Sequence, residues 1–315
     1  AEWYKNTSED LLYAVPVPEQ AGVSNTTVTM NAASMNNSGF EFSATYRNRD
    51  HDFKYEVSAN LSTLRNRVTS LGFGTDSYIS GSYITKVGQE IGQFYGWVYE
   101  GIARTQEDLD NHATQEGAQI GDCLYKDVNN DGKVDSEDQV VLGSGMPKIN
   151  FGLNARFEYK RFDLSIATFG ALNYHVSDDI YNSLNSCYGW GNKEVGMLEA
   201  NRFSEDGSTY LSNVPRTYVT NSASLGWNDL FSSRKIQNAA YWKIANVELG
   251  YNFPDKWFGK YVSDVRFYVS AQNLHTFTGY HGYNVDYAGG TFTPGYNFCS
   301  YPTARTFMCG VHFTF

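Results

Sequence analysis

Thr306-Phe307-Met308-Cys309-Gly310-Val311-His312-Phe313-Thr314-Phe315 closes the chain. Phe307, Cys309, Val311, Phe313 and Phe315 fall on one face of an extended strand, and Met308, Gly310, His312 and Thr314 on the other. This is the period-2 pattern of a strand between an apolar and a polar medium. No turn signal follows it. A strand that stops on an aromatic residue suits a closed membrane barrel, where lipid offers no partner for free backbone groups and the last strand must pair.

Working backward, the same alternation recurs in pairs. Val265, Phe267, Val269 and Ala271 alternate with polar residues, as do Ala245, Val247, Leu249, Tyr251 and Phe253, and Pro254 to Ser263 joins the two runs. Phe151, Leu153, Ala155, Phe157 and Tyr159 turn at Lys160-Arg161 into Phe162, Leu164 and Ile166. Phe40, Phe42, Ala44 and Tyr46 turn through the charged segment Arg47 to Asp52 into Phe53, Tyr55, Val57, Ala59 and Leu61. A first strand runs from Trp3 to Val15. The residues between the apolar ones are Ser, Asn, Glu, Lys or Arg, too polar for a dry sandwich core.

The count is eight strands. The connections that join these pairs are long: Arg65 to Pro147, Asn173 to Ala239, and His275 to Thr303. Short turns at one end and long loops at the other are the asymmetry of outer-membrane barrels, whose turns face the periplasm and whose loops face outside. With Phe315 at the periplasmic end, parity allows the 65–147 excursion either no spanning strand or two. Eight strands can close a small barrel, but here the loops outweigh the strands, so residues 1–315 read as part of a larger one.

Composition agrees without deciding. Of 315 residues, 41% are hydrophobic, yet the mean hydropathy is negative and no run approaches the roughly 18 apolar residues of a membrane helix. Aromatics at 16%, with 24 Tyr and 20 Phe, suit two interfacial girdles. A net charge of −10 argues against nucleic acid as a partner. Cys123, Cys187, Cys299 and Cys309 lack zinc-site spacing; a Cys187–Cys299 disulfide is open, and Cys309 is expected to face lipid. Ala1-Glu2-Trp3-Tyr4-Lys5 has no signal-peptide character, so the chain reads as mature or a fragment.

One motif points to a metal. Asp127, Asn129 and Asp131 occupy positions 1, 3 and 5 of a calcium-type loop, with Gly132 at 6, the Lys133 carbonyl at 7, Asp135 at 9 and Asp138 at 12. A hard cation takes six to eight oxygens, and closely spaced side chains supply them only around a tight turn. The expected ion is Ca²⁺, with Mg²⁺ as the alternative, in a structural role; an ion-free Asn/Asp/Gly loop is the competing reading. Asp at position 12 is shorter than the usual Glu, and Val140 to Gly143 reads as a short strand, so a calcium-switched helix pair is not expected. Asp178-Asp179 and Glu205-Asp206 are expected on solvated surface. No GxSxG, HExxH or P-loop occurs, so catalytic residues are expected to be absent. Trp190, Trp227, Tyr280, His281, Tyr283 and Asn284 are candidates for stacking on sugar or gripping peptide, against girdle or loop packing.

Several segments together resemble the carboxyl-terminal part of the SusC/RagA-like family of TonB-dependent transporters. They are Trp3 to Thr7 with Leu11-Leu12; Asn36 to Glu41; Gly88 to Gly92 with Tyr95-Gly96 and Gly101-Ile102; Gly121-Asp122, Tyr125 to Asp127 and Asp131-Gly132; Leu249 to Asn252 with Pro254; and Ala271 to Leu274. The resemblance implies an all-β transmembrane barrel of 22 strands, of which these are the last eight, in the outer membrane of a Gram-negative bacterium. It implies a plug, a TonB box, a SusD-like surface lipoprotein as lid, and TonB-energised uptake of oligosaccharides or oligopeptides. Plug, TonB box and earlier strands are expected on another chain or segment. Phe315 resembles the terminal aromatic signal read by barrel-assembly machinery. The alternatives are a secreted calcium-dependent glycan-binding β-module and, third, an outer-membrane hydrolase.

Overall fold

The alternating runs form the strands β1 (Glu2–Pro16), β2 (Thr27–Asn48), β3 (Phe53–Thr63), β4 (Ile149–Tyr159), β5 (Phe162–Leu172), β6 (Tyr241–Asn252), β7 (Asp264–Thr278) and β8 (Thr306–Thr314). The structure is a computed structural model that describes residues 1–16, 27–72, 74–187, 191–217, 223–254, 257, 262, 264–286 and 289–315. All eight lie side by side in chain order as an antiparallel meander, with β1 and β8 at the edges. β4 pairs directly with β3, Ile149 opposite Thr63 and Tyr159 opposite Phe53. The 65–147 excursion therefore adds no strand between them, the first of the two parities allowed.

The two faces differ as the alternation requires. Phe42, Leu61, Leu153, Phe162, Leu249, Phe267 and Val311 project from one face and remain exposed, and Cys309 lies on it opposite Val269. A secreted sandwich would bury that face against a second sheet; among the described residues no second sheet pairs or packs there. Aromatics concentrate at both ends of the band. Near the short turns Phe53 stacks on Phe157 at 6.0 Å, Phe162 meets Tyr251 at 4.9 Å and Tyr251 meets Phe253 at 5.1 Å. At the other end Trp242 stacks on Phe277 at 5.3 Å. Ten residues separate Phe267 from Phe277 along β7; at about 3.3 Å each and a tilt of about 40°, the band is about 25 Å tall, the height of a barrel's apolar belt.

The opposite face is charged. Arg266 of β7 binds Asp163 of β5 and, at 2.8 Å, Glu248 of β6, while Arg47 pairs with Glu56 and Arg156 with Glu158. Gly250 leaves the room this requires, since a Cβ there would sit 2.0 Å from Asp163 Oδ2. The alternation breaks at Ala245. The register shifts between Ile244 and Asn246 on the β7 side and between Ala167 and Thr168 on the β5 side, the mark of a β-bulge. Unbroken alternation would have put Lys243 among the apolar side chains. The bulge turns it to the polar face, where it pairs with Asp286.

The long connections gather at one end and fold on one another. Ser77–Ser80, Tyr83–Lys86, Gln93–Gly96 and Val140–Ser144 make a small sheet, and Tyr99–Ile102 pairs with Cys123–Tyr125. Among the described residues three apolar cores support this layer. One is rooted on Ala33 of β2 with Val68, Leu71 and Ile91, a second on Ala171 of β5 with Tyr174, Val176 and Tyr280. The third, Cys123, Tyr125 and Val134 packed against Trp97, Tyr99 and Trp227, involves no wall strand.

Candidate functional site

The calcium-type loop folds by accepting backbone donors. Asp127 takes the N–H of Asn130 at 2.7 Å on Oδ1 and that of Gly132 at 2.8 Å on Oδ2. Asn129 Oδ1 accepts from Asp131 and Asp131 Oδ1 from Lys133. The left-handed turn this needs is made by Asn130 and Gly132, at φ 60° and 87°. Asp135 caps the 3-10 turn Ser136–Asp138, and Asp138 Oδ2 returns to the Asp135 N–H at 2.8 Å in a capping box. Asp138 is 1% exposed and also accepts from Val128 at 2.7 Å. Burial works to raise its pKa, but the N–H groups of Asp135, Val128 and Asn129 outweigh it and hold the carboxyl below its ordinary value.

The donor set is all oxygen, which fits a hard cation. Its convergence is incomplete: among the described residues no group of three or more His, Cys, Asp or Glu side chains is placed to hold a metal ion. The carboxylates lie instead against N–H groups, and Asp138 in position 12 is clamped on three of them. The six expected ligands share one tight loop. The loop is held to its surroundings by Trp97, whose indole N–H donates to the Asp135 carbonyl at 2.9 Å, and by Val134, whose N–H donates to the Thr114 carbonyl.

The expected aromatic set divides. Tyr280 is 6% exposed, and its hydroxyl donates to Asp178 Oδ2 while Asn297 donates to both. It is a core residue, and Asp178, expected on solvated surface, is buried as the hub of this network and as the cap of helix Asp179–Leu184. His281 stacks on Tyr181 at 5.9 Å, Tyr283 is 63% exposed, and Asn284 accepts from the Asp286 N–H. Trp227 belongs to the other core, against Tyr125. Trp190 lies outside the described residues. The Cys187–Cys299 bridge does not form: both thiols are free, Cys187 buried and Cys299 exposed. Burial pushes the thiols of Cys123 up to about 12 and of Cys187 to about 11.

What joins the layer is a network that no spacing announces. Asp122, with no exposure, receives the Arg216 guanidinium through Nε and through Nη2 at 3.0 Å, and the Asn228 amide at 2.7 Å. Asn228 Oδ1 accepts the Cys123 N–H at 2.7 Å and its amide also reaches the Arg216 carbonyl. The 65–147 and 173–239 excursions are thereby closed on each other, and among the described residues no buried side-chain polar atom of the network is left unpaired.

TonB-dependent receptor P3 of Formosa agariphila is 30% identical over 333 residues, covering 100% of this chain and 32% of the receptor. Receptor P26 of the same organism is 29% identical over 99% of the chain, and SusC of Bacteroides thetaiotaomicron 25% identical over 99% of it. The chain is homologous along its whole length to TonB-dependent receptors of the SusC/RagA kind. It spans about a third of the length of these relatives. The solved RagAB peptide transporter superposes with a TM-score of 0.78 over 99% of this chain and 32% of its own, at 21% identity, which speaks for the fold. No protein-family profile matches the chain.

Proposed function

We propose that the chain is the carboxyl-terminal wall and extracellular layer of a non-enzymatic importer in the outer membrane of a Gram-negative bacterium. The importer takes up oligosaccharides or oligopeptides, energised through TonB, beneath a SusD-like lipoprotein lid. The observation that carries the reading is the wall itself: eight antiparallel strands, apolar outside and charged inside, with every long connection at one end. Strands β1 and β8 leave edge N–H and C=O groups that lipid cannot satisfy, so further strands of the same barrel pair there, with a plug and TonB box beyond them. The calcium-type loop serves as a structural clip. Ca²⁺ would draw on Asp127, Asn129, Asp131, Asp135, Asp138 and the Lys133 carbonyl, with Mg²⁺ the weaker fit to so many oxygens.

The complete receptor in its native membrane is the object to test. It should migrate heat-modifiably in detergent, lose assembly on deletion of Phe315, and support uptake of its oligomer only in cells with functional TonB. A receptor that remains monomeric and soluble without detergent, or uptake indifferent to TonB, would overturn the reading.

A further inference from the structure

Beside the calcium-type loop, Trp97 and Trp227 line a groove of about 700 Å³ whose floor is Val134 and Leu230. Both indoles are fixed. Trp97 donates its N–H to the Asp135 carbonyl and Trp227 donates its own to the Glu116 carbonyl, each at 2.9 Å. Trp227 is backed by the buried ring of Tyr125 at 6.2 Å. With their N–H groups satisfied and their positions held, the rings offer the groove flat apolar surface and no further donor. The polar groups at the rim are of the opposite kind. The Glu116 carboxylate is exposed and has no ion pair or hydrogen bond of its own among the described residues, and Ser136 also lines the groove.

A ligand that satisfies this surface has a flat C–H face for an indole and an edge of hydroxyl donors for a carboxylate. A wholly apolar ligand would strip water from Glu116 without replacing it, and an anionic one would meet the carboxylate as a like charge. A pyranose ring without sulfate or carboxylate meets both demands. We propose that this groove is a binding site for a neutral sugar ring, stacked on the indoles of Trp97 and Trp227 with its hydroxyls donating to Glu116. The site rests on the proposed topology for its access from outside the cell. It does not require transport, so binding is measurable without TonB.

The intact receptor, purified in detergent, would be titrated with cellohexaose, mannohexaose and xylohexaose while its tryptophan fluorescence is followed, with a sulfated carrageenan hexasaccharide and hexaalanine alongside. A saturable change with at least one neutral oligosaccharide, and with neither control, is expected. Two variants place it in the groove. A Cβ at Gly226 meets nothing within 4 Å, so Gly226→Leu fills the groove without disturbing packing and should abolish the response. Glu116→Gln alters only an exposed side chain and should weaken binding about tenfold, as loss of a hydrogen bond to a charged group does. No saturable response to any neutral oligosaccharide, a response unchanged in Gly226→Leu, or a Gly226→Leu-sensitive response to the peptide or the sulfated sugar instead would each overturn the proposal. Heat-modifiable migration of the same samples separates the two readings: loss of migration defeats the barrel assignment, whereas intact migration without binding defeats only the groove.

Discussion

Asp122→Ala should unlatch the layer of long connections and leave the strand wall standing. Asp122 is fully buried and is the sole carboxylate paired with Arg216 among the described residues, and Arg216 retains 17% side-chain exposure. Removing one partner of a buried pair costs about 3–5 kcal/mol because the other charge stays behind uncompensated. Water reaches the partly open guanidinium, so the lower end applies, about 3 kcal/mol, or roughly two orders of magnitude in an equilibrium. Asn228 keeps its bonds to the Cys123 N–H and the Arg216 carbonyl, which limits the further loss. None of these residues lies on β1 to β8, and the core they brace contains no wall residue. The cost therefore falls on docking of the two excursions.

Amide exchange on the detergent-solubilised receptor reads this directly. Protection in segments 97–126, 212–217 and 223–230 should fall about a hundredfold, and protection in β4, β5, β6 and β7 should not change. The double variant Asp122→Ala/Arg216→Met should recover part of the loss, since it removes the stranded charge. Unaltered protection of the excursions, or an equal fall in the wall strands, would refute the reasoning.

Gly250→Ala should lower the temperature of the heat-modifiable transition by an amount equivalent to about 1–3 kcal/mol, because its Cβ would lie 2.0 Å from Asp163 Oδ2 and 2.4 Å from Arg266 Nη2; Gly279→Ala, with nothing within 4 Å, is the control. The folded pKa of Asp138 is depressed, so its contribution to the loop is complete above the ordinary aspartate value of about 3.9 and is lost as pH falls through the lower folded value. Amide exchange at Val128 and Asp135, corrected for the intrinsic pH dependence, should show that loss in the wild type and not in Asp138→Asn. Calorimetric titration of the receptor with CaCl₂ should give one site with Kd of roughly 0.1–1 mM, absent in Asp127→Ala/Asp131→Ala; no heat in millimolar calcium would leave the loop ion-free.

The wall was legible because lipid and lumen impose one simple demand on every residue between them. Where that demand stops, so does the pattern. The outer half of β2, from Thr27 to Gly39, pairs with both β1 and Arg65–Ser70, yet its run Asn31-Ala-Ala-Ser-Met-Asn-Asn-Ser38 carries no alternation, because outside the apolar band neither face must be greasy. The Ala245 bulge is equally silent in sequence: it is recognisable only once Lys243 is seen to need Asp286. The layer of long connections is harder still. Arg216 and Asn228 meet Asp122 across 94 and 106 residues, and no local spacing encodes a contact of that range. Tyr280 and Tyr283 look alike on paper; the first is buried because Asp178 and Asn297 complete its hydroxyl, and the second is not. Trp97, beside the recognisable Tyr95-Gly96, has no local signal of a site because its partner Trp227 is far along the chain.

The three cores of the layer are not equivalent, and the difference bears on where function can vary. Two are nailed to wall strands through Ala33 and Ala171, so a change in either is transmitted to barrel register. The third is assembled wholly from the excursions and is fixed by hydrogen bonds: Trp97 to the Asp135 carbonyl, Trp227 to the Glu116 carbonyl, Asn228 to Asp122. Directional bonds of this kind hold position while they are complete and release it when one member is lost. Val134 lies between positions 7 and 9 of the calcium-type loop and also forms the floor of the tryptophan groove. Any ion that tightens the loop therefore acts on the groove through Val134, Asp135 and Ser136, which line it, and through the bond of Trp97 to the Asp135 carbonyl, at the point of the layer least constrained by the wall.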